Sequence, residues 1–82
     1  MENSLMTPEW VRVLTTLEMR DRDWIQLKQK PFFEQESLKA ALLVMPDTGL
    51  SFWAPKAAIA CDMNDNVYLK GWKYSEVFRD GK

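Results

Sequence analysis

Apolar side chains near the start of the chain recur at the spacing of a helix. One helical stripe collects Met6, Trp10, Val13, Leu14 and Leu17. Residues 7–9, Thr-Pro-Glu, supply a hydroxyl N-cap, a proline in the first turn and an early acid, as helix starts often do. Residues 10–19 also alternate as a strand would, and their β-branched side chains disfavour a helix. We expect an amphipathic N-terminal helix, with a strand over residues 10–19 as the alternative.

A charged break over residues 20–23 separates this segment from an alternating stretch, Trp24–Gln29. In a strand, Ile25 and Leu27 would face one side, and the opposite side would carry Trp24, Gln26 and Lys28. One apolar side and one mixed side are typical of a half-buried strand, which we expect here. Because Trp24 lies among polar neighbours on its side, it is the tryptophan that we expect to be exposed.

The central segment, residues 34–45, carries opposing signals. Its composition has high intrinsic helix propensity. However, Pro46–Gly49 supplies turn chemistry directly after it, and Leu50–Trp53 alternates as a returning strand would. A hairpin that pairs residues 38–45 with 50–54 is therefore the alternative to a helix.

Turn residues divide the last third of the chain into short elements. Pro55 cannot donate to a β-ladder, so we expect it at a sheet edge or a strand end. Met63–Asn66 is a second cluster of turn residues, and Val67–Lys70 predicts a short strand. After Gly71 the pattern changes, and residues 72–78 predict a closing helical turn.

The composition fits one globular domain over residues 1–82. Of the 82 residues, 46% are hydrophobic, and eleven basic residues nearly balance twelve acids. This balance argues against a disordered tail and a strongly basic nucleic-acid binder. We expect an α+β fold in which the N-terminal helix packs on a small, mostly antiparallel sheet of about four strands. An all-β barrel of the SH3 or OB kind is the alternative.

The residue types present exclude most catalytic and metal chemistry. The chain has no histidine, and its single cysteine, Cys61, excludes an internal disulfide and the usual four-ligand zinc site. Residues 62–66 resemble the start of a calcium-binding EF-hand loop, but Val67 and Lys73 occupy the positions that need glycine and glutamate. We therefore expect no enzyme, metal or cofactor, a buried Cys61, and a polar turn at residues 62–66.

The N-terminus and the hydropathy of the chain bear on its location. Residues 1–6 carry an acid where a secretory signal carries bases, and no apolar run reaches the roughly 18–20 residues that span a bilayer. We expect that the protein does not associate with a membrane and that it resides in the reducing cytoplasm.

Four tryptophans within ten aromatic residues are the strongest functional signal. Each buried aromatic side chain removes roughly 150–250 Å² from water, and a core this small cannot enclose all of them. We expect one or two to remain exposed in a protein-docking patch, since tryptophan, tyrosine and arginine are enriched at interface hot spots. The candidate residues are Trp24, Gln26, Lys28, Trp53, Lys56, Lys70, Trp72, Lys73 and Tyr74.

Aromatic residues beside lysines also suggest a surface for single-stranded nucleic acid, on which rings stack with bases and lysines contact phosphates. Residues 51–82 contain five basic residues and four acids, an excess of one positive charge. Because release of counterions drives most binding of this kind, the small excess makes nucleic acid a weaker candidate than protein.

Three stretches of sequence resemble a group of small, mostly uncharacterised phage and prophage proteins. The stretches are Lys39–Val44, Phe52–Ile59 with its Trp-x-Pro-Lys-x-x-Ile motif, and Val67–Trp72. The resemblance covers residues 38–78 and implies that residues 38–45 form a strand. It also implies an origin in a mobile element, and it carries over no catalytic residues.

These observations lead to three hypotheses about function. The first is a protein-binding module in the cytoplasm of a bacterial host that occludes a surface of a defence complex, as anti-CRISPR proteins do. The second is a small β domain that binds single-stranded nucleic acid. The third is a structural phage protein that buries its spare aromatic side chains against a second copy, as a homodimer or larger oligomer.

Overall fold

The computed structural model describes residues 7–78, which form strands in two sheets, two α-helices and one 3-10 turn. The elements, in chain order, are β1 (Arg12–Val13), α1 (Thr16–Arg20), β2 (Trp24–Gln26), β3 (Phe32–Glu36), β4 (Ala40–Val44), β5 (Ser51–Pro55), the 3-10 turn (Lys56–Ala58), β6 (Ile59–Cys61), β7 (Val67–Lys70) and α2 (Gly71–Phe78). The predicted α+β class is confirmed in its broad form. The expected sheet of about four strands is instead seven strands divided between two sheets.

The two sheets differ in topology. The first, here called the mixed sheet, has the strand order β1-β6-β7-β2, with β1 parallel to β6 and the other pairs antiparallel. The second, here called the meander sheet, has the order β3-β4-β5 and is antiparallel throughout. Sequential strands joined by short turns build the meander sheet, whereas the mixed sheet combines strands from both ends of the described chain.

The main core lies between the two sheets, because alternate side chains of each sheet point inward. The meander sheet contributes Ala41 and Leu43 from β4, and the mixed sheet contributes Ile59 from β6 and Leu69 from β7, all fully buried. Helix α2 follows β7 directly and adds further aromatic side chains to this core. Its Phe78 ring meets Phe52 of β5 edge to face, with 6.0 Å between ring centroids, and Tyr74 packs beside it. Edge-to-face contacts between aromatic rings stabilise the core by more than the burial of their apolar area alone.

A second, smaller core covers the outer face of the mixed sheet. Trp24, Ala60 and Tyr68 form it together with Leu14, and Met19 of α1 packs against them. The register explains the shared face, since Tyr68 lies opposite both Ala60 and Gln26, and Trp24 is two residues from Gln26. The mixed sheet is therefore covered on both sides.

The predicted amphipathic helix near the N-terminus is wrong over the described residues. The chain is extended at β1, and α1 begins only at Thr16, where Thr15 and Glu18 form a reciprocal capping box. The predicted stripe is divided among different environments: Leu14 is buried in the second core, whereas Val13 and Leu17 are exposed. The alternative strand over residues 10–19 is correct only at β1. Met6 lies outside the described residues.

The extended backbone around β1 is held by pairing with β6 rather than by a helical hydrogen-bond ladder. The N–H of Leu14 donates to the carbonyl of Cys61 at 2.8 Å, which continues the parallel pairing of β1 beyond Val13. In this extended backbone, Val11 points into the main core and Leu14 points to the outer face of the mixed sheet. Burial of Val11 and Leu14 on opposite faces of the mixed sheet thus stabilises the extended backbone more than the cap at residues 7–9 stabilises a helix.

The hairpin alternative for the central segment is confirmed, and the helix expected from propensity does not form. Strands β4 and β5 pair from Ala40 opposite Pro55 to Val44 opposite Ser51. Gly49 closes the turn between them with a φ of 76°, a left-handed conformation that glycine adopts without strain. Pro55 ends an edge strand, as predicted. Burial of the inner face of β4 and pairing of β4 with both β3 and β5 outweigh the helix propensity of residues 34–45.

Further local predictions are confirmed. Strand β2 begins at Trp24 as predicted but ends at Gln26 rather than Gln29, β7 spans Val67–Lys70, and the closing helical turn is the eight-residue α2. No helix within residues 7–78 is long and apolar enough to cross a bilayer.

Candidate protein-binding surface

Four large apolar side chains share the outer face of the meander sheet. Leu42 lies opposite Trp53, and Phe32 lies opposite Val44. Directly opposed residues of antiparallel strands point to the same side, and their neighbours Phe33, Leu43 and Phe52 point the other way into the main core. We call Phe32, Leu42, Val44 and Trp53 the outer meander face.

The outer meander face packs on neither core. Phe32, Leu42 and Val44 are half-buried, and 45% of Trp53 is exposed. None of the four belongs to a buried cluster or to the partly buried side chains that pack against one. Helices α1 and α2 both lie against strands of the mixed sheet. Among residues 7–78, neither helix therefore covers the outer meander face as α1 covers the outer face of the mixed sheet.

Two more leucines in the turns of the meander sheet are exposed, but Leu50 lies opposite Met45, which faces the main core. Leu38 lies in the turn between β3 and β4, and Leu50 lies in the turn between β4 and β5. Contiguous exposed apolar surface on a small protein marks an interaction site more often than scattered single residues do.

Lys56, one of the predicted patch residues, lies directly after β5 in an ion pair. Its Nζ is 2.7 Å from the carboxylate of Glu36, the last residue of β3. The hydrogen bond from Lys56 lowers the pKa of Glu36, so its carboxyl group is charged at neutral pH. The same Nζ lies 4.8 Å from the ring centroid of Trp10, within the range of a cation–π interaction. Lys56 thus joins β3, β5 and the N-terminal segment.

The prediction that Trp24 is exposed is wrong. Only 7% of Trp24 is accessible, because Leu14 and Met19 cover it. Lys70 lies over its ring at 4.6 Å and also lies 3.9 Å from the carboxylate of Asp23. Gln26 remains exposed on the same strand. These predicted patch residues belong to the covered mixed sheet, away from the outer meander face.

The predicted patch residues of α2 have three different environments. Trp72 is 58% exposed, whereas Lys73 is only 8% exposed and Tyr74 packs on the main core. The Nζ of Lys73 lies 3.2 Å from the carboxylate of Glu76 within the same helix. Lys73 is therefore no part of an exposed patch, because its aliphatic chain is enclosed by the fold.

Lys28 lies in the connection after β2, where it is exposed and lines an open cleft of about 280 Å³ together with Leu27, Met45 and Tyr74. The nine predicted patch residues are thus distributed over the meander sheet, the mixed sheet, α2 and this connection. The expected single patch does not form. The expected number of exposed aromatic side chains, one or two, agrees with the two that are exposed among residues 7–78, Trp53 and Trp72.

The sequence analysis missed three of the four residues of the outer meander face: Phe32, Leu42 and Val44. The signal was present for two of them. Once residues 38–45 are paired with 50–54, alternation places Leu42 and Val44 on the side of Trp53. The position of Phe32 follows only from the pairing of β3 with β4, which contains an irregularity between Phe33 and Gln35.

The carboxylate of Asp62 organises the backbone of the β6–β7 turn. The carboxylate of Asp62 accepts the N–H groups of Asn64 and Asn66, both at 2.9 Å, and the hydroxyl of Tyr68 at 3.0 Å. Burial raises the pKa of Asp62, but these hydrogen bonds outweigh burial, and the net pKa lies below its usual value. The predicted polar turn is confirmed.

Cys61, immediately before this turn, is buried as predicted. Burial, together with the carboxylates of Asp65 and Asp62, raises the pKa of its thiol, so the protonated form dominates at neutral pH. A protonated thiol is a weak nucleophile and a weak metal ligand. Within the described residues, no three acidic, cysteine or histidine side chains are grouped to hold a metal ion.

Comparisons with protein-family models, with curated proteins and with solved structures find no match to this chain. The resemblance of residues 38–78 to phage and prophage proteins therefore stays a prediction. The candidate surface rests on its geometry alone.

Proposed function

We propose that this protein is a non-enzymatic protein-binding module whose outer meander face occupies a surface of a protein partner. One observation carries the proposal: four large apolar side chains lie together on a sheet face that packs on neither core. Trp53, the most exposed of the four, has Leu42 directly opposite it. A partly exposed tryptophan amid aliphatic neighbours is a common form of interface anchor.

The charges favour protein over nucleic acid as the partner. Lys56 and Lys70, which lie over the rings of Trp10 and Trp24, and Lys73 of α2 each have an acidic neighbour, and these pairs are Lys56–Glu36, Lys70–Asp23 and Lys73–Glu76. Phosphates would have to compete with these carboxylates for the lysines. The outer meander face itself contributes no charge. Binding to phosphates needs unpaired positive charge, whereas burial of an apolar face needs none.

The partner class in this proposal comes from the resemblance to phage proteins. A small module from a mobile element that occludes a surface of a bacterial defence or regulatory complex would act in the cytoplasm of the host. Support for this finer statement is limited to the residues that carry the resemblance. The apolar face supports the broader statement, that the module binds protein.

A comparison of two exposed tryptophans tests the proposal. Tagged wild-type protein, Trp53→Ala and Trp72→Ala are used to capture proteins from a bacterial lysate, and the captured proteins are quantified by mass spectrometry. Trp72 is the matched control, because it is similarly exposed but lies on α2. We expect Trp53→Ala to weaken capture of a specific protein by roughly 30-fold, the effect of losing a hot spot of about 2 kcal/mol. Trp72→Ala should retain that protein.

Two results would contradict the proposal. Equal capture by Trp53→Ala and the wild-type protein would exclude Trp53 as an anchor. Binding of the wild-type protein to a single-stranded oligonucleotide, with affinity that falls steeply as salt rises, would favour the nucleic-acid hypothesis instead.

A further inference from the structure

Strand β5 forms an edge of the meander sheet, and half of its backbone groups point away from β4. The N–H of Met45 donates to Leu50 at 2.8 Å, and the N–H of Lys56 donates to Lys39 at 2.7 Å. Hydrogen bonds of an antiparallel pair recur at every second residue, so Phe52 and Ala54, between those two bonds, also bond to β4. The backbone groups of Ser51, Trp53 and Pro55 therefore face outward. Within residues 7–78, β5 pairs with β4 alone.

The two edges of the meander sheet differ in how they are protected. The edge at β3 carries Glu34 and Glu36 and has an irregular register between Phe33 and Gln35. Charges and bulges at sheet edges hinder pairing with other chains. The edge at β5 has regular register over all five residues and no charged side chain, and only Pro55, its last residue, lacks a donor. Of the two edges, β5 is the one open to pairing.

The outward groups of β5 are complementary to those of a second β5. In an antiparallel pair with a two-fold axis at Trp53, the two Trp53 residues exchange N–H···O=C bonds. The N–H of Ser51 in each copy donates to the carbonyl of Pro55 in the other. Both outward N–H groups of each strand then find acceptors, and the missing donor of Pro55 leaves only one carbonyl per strand for water. Since neither strand carries a charge, no like charges oppose each other.

The side chains also favour a second copy as the occupant. Ser51, Trp53 and Pro55 lie on the outer side of the sheet, so the pairing sets the two indoles side by side across the axis. Each indole would lose part of its 45% exposure. The two outer meander faces become continuous across the junction and remain open to a partner.

We propose that two copies of the chain pair antiparallel along β5, about a two-fold axis at Trp53, so that their meander sheets form one six-stranded sheet. A two-fold axis is the commonest symmetry of soluble oligomers. This dimer does not rest on the proposed function, because edge pairing shields only part of Trp53 and leaves Phe32, Leu42 and Val44 of the outer meander face uncovered.

Sedimentation equilibrium of the full chain over a range of concentrations tests this dimer. We expect the wild-type protein to pass from monomer to dimer as its concentration rises. Trp53→Lys places two like charges beside the axis and should abolish the dimer over that range. Ser51→Pro removes an outward donor from the first residue of an edge strand, where proline is tolerated, and should raise the dissociation constant about tenfold. Trp72→Lys should leave the dissociation constant unchanged.

Ser51→Pro distinguishes edge pairing from stacking of two outer faces, because it changes none of the four side chains of the outer meander face. If Trp53→Lys dissociates the dimer and Ser51→Pro does not, two outer faces are stacked on each other and edge pairing is wrong. A monomer at every concentration would also overturn the proposal. If Ser51→Pro loses the dimer but retains the protein captured from the lysate, dimerisation and partner binding are separate. Circular dichroism of each variant establishes that it is folded.

Discussion

The mixed sheet and the meander sheet contribute to one core but differ on their outer sides. On the mixed sheet, Trp24 is 7% exposed beneath Leu14 and Met19. On the meander sheet, Trp53 also occupies an outer position and is 45% exposed. Two tryptophans in similar strand contexts thus have opposite surroundings. Burial of an outward aromatic side chain is therefore determined mainly by the chain segment that packs over its strand, and less by the strand itself.

The connections between strands account for this difference. Strands β1 and β2 are the two opposite edges of the mixed sheet, so the segment between them must cross the sheet. That segment contains Leu14 and α1, which cover the outer face as they cross. The meander strands are joined by short turns at residues 37–39 and 46–50, and such turns pass around the ends of a sheet. The outer meander face is consequently left open.

The largest expected effect is the contrast between these two tryptophans. Trp24→Ala should lower the free energy of unfolding by about 3–5 kcal/mol, because it leaves a cavity in a covered site. Trp53→Ala should lower it by less than about 1 kcal/mol, since the side chain packs on neither core. Urea denaturation at concentrations where the chain is monomeric measures both values. Equal losses would mean that the two outer faces are covered alike.

A smaller effect is expected at the hydroxyl of Tyr68, which is enclosed on the outer face of the mixed sheet. Tyr68→Phe removes the 3.0 Å hydrogen bond to the carboxylate of Asp62. Loss of a buried hydrogen bond to a charged group costs roughly 1.5–3 kcal/mol of stability. Tyr74→Phe is the control, because the Tyr74 hydroxyl makes no hydrogen bond with any described residue. If both variants lose the same stability by urea denaturation, the Tyr68 bond contributes nothing of its own.

The segment that covers the mixed sheet can be weakened at its helix cap. Thr15→Ala removes the side-chain acceptor for the N–H of Glu18 and should lower the free energy of unfolding by about 1 kcal/mol. Thr16→Ala, one residue later, leaves the cap intact and should change stability by less than about 0.5 kcal/mol. Hydrogen exchange should show faster exchange in α1 for Thr15→Ala alone. Unchanged exchange in that variant would mean that the cap does not hold α1 in place.

The smallest expected effect is a pH dependence that depends on Asp62. Its pKa in the folded protein lies below its ordinary value, which is about 3.9 in an unfolded chain. The resulting stabilisation is complete above that value and is lost as pH falls through the folded pKa. Between pH 5 and pH 2, the free energy of unfolding should therefore fall less steeply in Asp62→Asn than in the wild-type protein.

Asp47→Asn serves as the control for that experiment, because it removes one exposed carboxylate from the turn of the meander sheet. A slope as shallow as that of Asp62→Asn in this control would assign the pH dependence to overall charge rather than to the β6–β7 turn.

Local signals predicted the elements whose partners are close in sequence. The Pro46–Gly49 turn indicated the β4–β5 hairpin as the alternative to a helix, and the composition of residues 67–70 predicted β7. Such elements need only a turn and a neighbouring strand. The N-terminal segment failed because β1 pairs with β6, about fifty residues away, and a helical cap signal contains no information on that pairing.

The candidate site was predicted in part for the same reason. Its tryptophan content indicated exposed indoles, and Trp53 is one of them. The predicted exposure of Trp24 and Lys73 is wrong. Leu14 and Met19 cover Trp24, and the fold around α2 encloses the side chain of Lys73. Phe32 could not be placed on the outer meander face without the register between β3 and β4.

Local patterns in the sequence predicted strand β7, the start of β2, the turns at Gly49 and at residues 62–66, and the burial of Cys61. Alternation and turn residues act over a few neighbouring positions, so they can be read locally. Only the tertiary structure decided which outward face is covered, because that depends on where the β1–β2 connection crosses. The exposure of Trp53 and the edge position of β5 therefore follow from the tertiary structure.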